Sequence, residues 1–438
     1  MPFARRPLGA LTIIVILLGC QRELIPTPNL YLDSELAPFA NVPPELATNT
    51  VDLLYVTDRL PREGGDKDSL SYGYGRSFST AFGSLVVRIG DDVSWSDLVR
   101  ASTSRKRKVS LRLSVDSITE LGRFPPTPGP LVVTDGVLVE TPEYLAARES
   151  MVQALHDELR RRLAMTPRQE AFVFVHGFGN TMQDAAFRLA ELWHFLGREG
   201  VPILYSWPAG FPGLLRGYNR DRESGEFTIF HLKEFLKALA ECSEIDTIHL
   251  IAHSRGTDVA MTALRELIVQ TRAGGVDPRA VLKLGNIIMA APDIDADVSS
   301  QRNSAEQLFD GYELLTVYVS KNDRAIGSAE WLFSSSRRLG TIQPEEVLES
   351  ERARIKLMPN ADIIDARVHT DYTGHGYFLS NPAVLSDIIL VLRYDRRPGA
   401  ANGRPLTPIV HNYYMLDDNY PQKAAPMPKG RSAAPPPG

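Results

Sequence analysis

Between residues 165 and 395, short apolar runs alternate with stretches whose apolar residues recur every three or four positions. The runs lie at 171–175, 202–206, 247–251, 286–290 and 315–319, with a weaker one at 362–366. Each is the length of a strand buried on both faces. The intervening stretches predict helices near 182–197, 228–242, 257–272, 301–309 and 383–393. Alternation of this kind predicts a mostly parallel central sheet with helices on both faces. Upstream, 51–57, 84–89 and 108–113 read as strands forming an antiparallel edge, 64–80 as a loop, and 143–163 as an amphipathic helix. Four prolines in 124–130 predict a rigid bend.

Composition sets the domain limits. Residues 20–50 are rich in proline and lack periodicity, so they read as a tether. Residues 396–438 revert to Pro, Gly and Ala and read as a tail unable to build a core, within which Val410–Tyr414 is expected to dock locally. One large α/β domain is left at 51–395, with a β-rich part at 51–140 and a core at 171–395. Arg5 and Arg6, an apolar run from Leu11 to Leu18 and then Gly19-Cys20 describe a secretory signal over 1–19. Leu17-Leu18-Gly19-Cys20 also resembles the bacterial lipobox. That resemblance implies acylation of Cys20 and a lipid anchor in the cell envelope, and Gln21 after it favours the outer membrane. A net charge of −5 argues against nucleic-acid partners. The basic run Arg105-Lys106-Arg107-Lys108 reads as a solvated loop, or else as a contact for anionic headgroups. Only two cysteines are present. With Cys20 acylated, Cys242 stands alone in a helical pattern as a core residue, and no spacing suits a metal.

The chemistry gathers at the predicted strand ends. Ile248 to Gly256 reads as strand, sharp turn and helix, with Ser254 at the turn and small residues, Ala252 and Gly256, on either side. A serine hydroxyl needs a base, a carboxylate to orient that base, and N–H donors for the oxyanion. The Arg255 amide is one donor. The second is Phe178, in the glycine loop after 171–175, where His176 reads as a loop-holding residue. Asp323 follows 315–319 as the acid, with Asp293, Asp295 and Asp297 as rivals. His375, between two glycines, is the base, with His369 as runner-up and His253 a packed neighbour. The order Ser254, Asp323, His375 is the one expected of an α/β-hydrolase fold.

Several segments together resemble one bacterial α/β-hydrolase family, long catalogued as a domain of unknown function and including lipoproteins. They are Tyr55–Arg59, Val173–Thr181, Tyr205–Pro208, Gly217–Ser224, Ile248–Ser254, Ala290–Asp295, Tyr318–Ala325 and Gly374-His375. The resemblance implies the fold and the triad, and no substrate. Arg255 departs from it, since many members carry Met there; its cation either favours an anionic group or points to solvent. Apolar residues in 207–215 and at Trp331, Leu332 and Phe333 are expected to wall a moderate acyl pocket. The expected function is a cofactor-free, lipid-anchored serine hydrolase, a carboxylesterase acting on a small-molecule or lipid-like ester. An acyltransferase with the same triad and a non-catalytic envelope binding protein are the alternatives.

Overall fold

The computed structural model describes residues 22–32, 36–62, 70–326, 338–342, 356, 358, 360–370 and 373–421. Among the described residues, thirteen strands form an eleven-stranded sheet and a separate hairpin. The strands are β1 Thr50–Pro61, β2 Tyr72–Ile89, β3 Leu113–Arg123, β4 Leu131–Thr134, β5 Val137–Glu140, β6 Glu170–Val175, β7 Val201–Ser206, β8 Thr247–His253, β9 Leu284–Ala290, β10 Leu314–Val319, β11 Ala361–Arg367, β12 Thr407–Val410 and β13 Tyr413–Asp417. The sheet order is β12-β13-β11-β10-β9-β8-β6-β7-β1-β2-β3. From β13 to β1 every neighbouring pair is parallel, while β2, β3 and β12 are antiparallel additions at the edges.

The main helices are α1 Trp95–Ser102, α2 Pro142–Leu163, α3 Met182–Phe195, α4 Leu214–Glu241 and α5 Gly256–Ala273, followed later by Pro382–Leu392. Two apolar cores lie on opposite faces of the sheet. One gathers α3 and the helix Pro382–Leu392, the other α4 and α5. Strands β6 to β10 are buried on almost every residue, which is why they read as continuous apolar runs. No helix among the described residues is long and apolar enough to cross a membrane.

Five expectations fail. The segment taken as a tether is a strap. Leu24, Ile25, Leu30, Tyr31 and Phe39 are buried, and Arg22 pairs with the buried carboxylate of Glu191 at 2.6 Å. Residues 396–421 of the tail are not loose either: β12 and β13 extend the sheet edge, where the local docking of Val410–Tyr414 was expected. Buried Arg404 there grips Asp387 through two bonds of 2.9 and 2.8 Å and reaches Asp362 at 3.1 Å. The two ends meet: Asn29 Nδ2 donates to the carbonyls of Asp418 and Tyr420 at 2.9 and 2.8 Å. Composition hid both segments because a few apolar anchors among prolines bury as well as a periodic run. Third, β2 begins at Tyr72, inside the expected loop. Fourth, β3 begins where the expected 108–113 strand ends, because 111–113 pair with the strap: Leu24 N donates to Leu111 O, and Leu113 N to Arg22 O, both at 2.8 Å. Fifth, the 301–309 helix is displaced and broken: Ala296–Ser300 runs on in wider turns through Ala305, and a short turn follows at Leu308–Gly311. Sequence reading also missed the β4–β5 hairpin, whose Asp135-Gly136 turn has φ of 52° and 77°.

Candidate active site

β8 carries the chain to Ser254, and α5 takes it away two residues later. Ser254 has φ +54°, a left-handed conformation that costs a non-glycine residue of order 1–3 kcal/mol. The contacts around it explain how the bend is held. Ser254 N donates to Ala290 O at 3.0 Å, and Thr257 Oγ1 donates to Ser254 O at 2.6 Å. A Cβ at position 256 would lie 2.2 Å from His176 O, so the helix can start here only with glycine. A Cβ at 177 would lie 2.8 Å from Ser254 Cβ, so the facing loop needs glycine as well. Ala252, buried against β6 and β9, fits without difficulty.

The acid and the base arrive on two loops that interlock. Asp323 follows β10; its Oδ1 accepts from Ile326 N at 3.1 Å, and its Oδ2 faces His375 Nδ1 at 2.7 Å. Gly374, at φ +69°, lets the His375 loop lie on the Asn322 carbonyl, where a Cβ would come within 1.9 Å. Arg324 N donates to Thr373 O at 3.0 Å and completes the clasp. The His375 ring lies 4.8 Å from that of His253, the residue before the serine. No hydrogen bond joins His375 to Ser254 among the described residues, a looseness common in free enzymes. With Nδ1 committed to Asp323, Nε2 is the nitrogen left to take a proton.

Two backbone amides border the serine. Neither Phe178 N nor Arg255 N donates a hydrogen bond among the described residues. The loop carrying Phe178 is held by groups the sequence reading had not assigned a role. Asp221, on α4, accepts from the amides of Gly179 and Gly210 at 2.9 Å each and of Phe211 at 3.2 Å. Arg59, fully buried at the end of β1, donates to Asn180 O at 2.9 Å and Ala209 O at 2.7 Å, and its Nη2 lies 3.2 Å from His176 Nε2. Burial, with the Arg59 cation second, pushes His176 down to about 3. It is a neutral prop rather than a base. Both Asp221 and Arg59 sit in segments that carry the family resemblance; a charged residue inside an apolar strand was the available signal for Arg59.

The rival residues are engaged differently. Asp293 borders the elbow, its amide donating to Ser254 O at 3.4 Å, but its carboxylate is held by Tyr218 Oη at 3.3 Å and Arg338 Nε at 3.4 Å, not by His375. His369 is exposed and pairs with Asp418. Asp295 caps the helix Ala296–Ser300, Asp297 lying in its first turn. His253 is buried and stacked on Phe378 at 4.3 Å, and desolvation, with His375 second, holds it well below the usual histidine range. Arg255 follows neither expectation for its charge: it folds back along the first turn of α5 onto Asp258 at 3.0 Å. Trp207 is not a pocket wall, because it is buried, stacked on His176 and donating to His176 O at 2.7 Å. Trp331, Leu332 and Phe333 lie outside the described residues. No cluster of potential metal ligands occurs among the described residues.

A sharp serine elbow at the ends of parallel strands, with an aspartate–histidine pair from later loops, defines an α/β hydrolase. A family model described as "Alpha/beta hydrolase of unknown function (DUF900)" matches residues 151–393, and the chain belongs to that family. No curated protein matches it. Distantly similar solved structures include two esterase-related proteins. One is a lipase-esterase related protein from Clostridium acetobutylicum ATCC 824, 12% identical with a TM-score of 0.28, the match covering 51% of this chain and 94% of that one. The other is a hyperthermophilic esterase from the archaeon Pyrobaculum calidifontis, 11% identical with a TM-score of 0.24, covering 56% and 90%.

Proposed function

We propose that the chain is a serine carboxylesterase, anchored in the cell envelope through acylated Cys20. The observation that carries the reading is the 2.7 Å pair between Asp323 and His375, set beside a serine held at positive φ. His375 Nε2 takes the proton of Ser254 Oγ as that oxygen attacks the ester carbonyl carbon. Negative charge moves to the carbonyl oxygen, where the amides of Phe178 and Arg255 receive it. Collapse of the adduct expels the alkoxide, which takes the proton from His375 and leaves an acyl-serine. Water, deprotonated by His375, attacks that ester; the acid departs and Ser254 regains its proton. Asp323 holds the imidazole tautomer throughout. Because Asp258 pairs with the Arg255 guanidinium, no selection for an anionic acyl group is expected from that residue.

A fluorophosphonate probe tests the reading. The folded chain should label at one serine and Ser254→Ala should not. Equal labelling of the two proteins, or none in the folded chain, would falsify it. Hydrolysis of p-nitrophenyl esters of graded length then gives the acyl preference.

A further inference from the structure

The chain is already fixed to its body at the first described residue. Arg22 and Leu24 pair with 111–113 through the main chain, and Glu23 and Arg112 form a bridge. Cys20 lies two residues upstream, so at most about 7 Å of extended chain separates it from that point. A lipid surface holding an acyl chain on Cys20 must therefore touch the body beside residues 22–24.

The surface beside them is the loop 103–112. Its basic run is divided between two uses. Arg107 turns inward, and its guanidinium donates to the carbonyls of Leu24 and Ile25 on the strap. Thr27 Oγ1 reaches Ser104 O at 2.9 Å and fastens the other side. Arg105, Lys106, Lys108 and Arg112 stay exposed, with exposed Val109 among them. None of these four cations forms an ion pair among the described residues. The acidic groups nearby are Glu23, which accepts from Ser110 Oγ at 2.7 Å, and exposed Asp91 and Asp92, which follow Gly90, whose amide donates to Arg112 O at 2.7 Å. The 105–108 end therefore carries the positive excess.

We propose that the loop 103–112 is a membrane-facing surface on which Arg105, Lys106, Lys108 and Arg112 meet anionic phospholipid headgroups. The proposal rests on the lipid-anchor reading. Exposed cations within a Debye length, about 8 Å, of an anionic surface are attracted to it, weakly for each one. An acyl chain a few ångströms away keeps them at that surface and makes the weak attraction effective. The orientation follows from register. Leu113 pairs with Ile89, and Arg88 with Thr50, so the loop lies at the edge where the parallel strands begin. Ser254, Asp323 and His375 lie at the edge where they end. A body docked on this loop turns its reactive edge away from the bilayer, and substrate reaches it from the aqueous side.

Two measurements test this. In the first, the chain from residue 20 onwards, without the signal and carrying Cys20→Ser, is sedimented with vesicles of phosphatidylcholine alone and of phosphatidylcholine with phosphatidylglycerol. It should pellet only with the anionic vesicles, lose that binding at high salt, and bind about tenfold less with Arg105→Glu, Lys106→Glu and Lys108→Glu combined. Equal pelleting with both vesicles, or of parent and triple variant, overturns the proposal. In the second, acylated wild-type protein in the anionic vesicles is treated with an amine-acylating reagent. Lys106 and Lys108 should be protected relative to detergent solution while Lys321, on the reactive edge, labels unchanged. Full labelling of Lys106 and Lys108 overturns it. A mature N-terminus without acyl mass overturns the anchor reading underneath, and is told apart because the first measurement uses no anchor.

Discussion

Ser254, Asp323 and His375 come from three loops more than fifty residues apart, and each is held by neighbours that do no chemistry. Asp323→Asn keeps the shape of the acid but puts an amide where the imidazole needs an acceptor. Its kcat should fall by about 10⁴-fold with the fold intact; a loss under tenfold in ester hydrolysis would show that another carboxylate orients His375. Asp221 is a positioning residue. Its two oxygens take three amides of the loops around Phe178, and Asp221→Asn turns an N–H toward one of those N–H groups. With the Phe178 amide receiving the oxyanion as proposed, kcat should fall about 10²-fold while KM changes little. A change confined to KM would place Asp221 in substrate binding instead.

At the scale of the element, apolar periodicity and the buried structure agree across β6 to β11. A strand buried on both faces leaves an unbroken apolar run, and Phe172, Leu250 and Ile288 each sit in one. The placement of the candidate triad residues was legible for a related reason: a glycine, serine or aspartate just after such a run must sit at the strand's end. Segments fastened by single residues were not legible. Leu24, Ile25 and Tyr31 anchor the strap without any repeat, and Arg404 fastens the C-terminal edge through buried acids that look like surface residues in the sequence. Asp221 was equally hidden, because nothing in its local pattern says that it faces three amides from other loops. The Arg404 contacts carry a prediction. Asp387 also accepts from Tyr318 Oη at 2.7 Å and Tyr420 Oη at 2.6 Å, so Arg404→Ala leaves a fully buried carboxylate without its cation. The cost should be about 3–5 kcal/mol in urea unfolding. A loss below about 1 kcal/mol would mean that residues 396–421 are dispensable to the fold.

For the whole molecule, buried histidines set the response to acid. His176 titrates near 3 in the native state, against about 6.5 when unfolded. Between those values the unfolded chain binds a proton that the native state refuses. Stability is therefore full above about pH 6.5 and is lost as the pH falls toward 3. By pH 5, His176 alone should remove about 2 kcal/mol. Burial lowers His194 and His253 in the same direction. The urea midpoint should fall between pH 7.5 and pH 5, and His176→Asn should flatten that slope; a midpoint that holds or rises at pH 5 would contradict the assignment.

The contacts of Asn29 with Asp418 and Tyr420 turn the folded chain into a ring closed by its own ends. A polypeptide made or threaded through a channel from its N-terminus cannot close that ring until residue 420 has emerged. The strap, first to appear, has no complete docking site before then: Leu30 N waits for Ser386 Oγ, and Tyr31 lies against Arg393. Order of synthesis and order of assembly are thereby uncoupled. The segment nearest the N-terminus, first to be made, is among the last to settle.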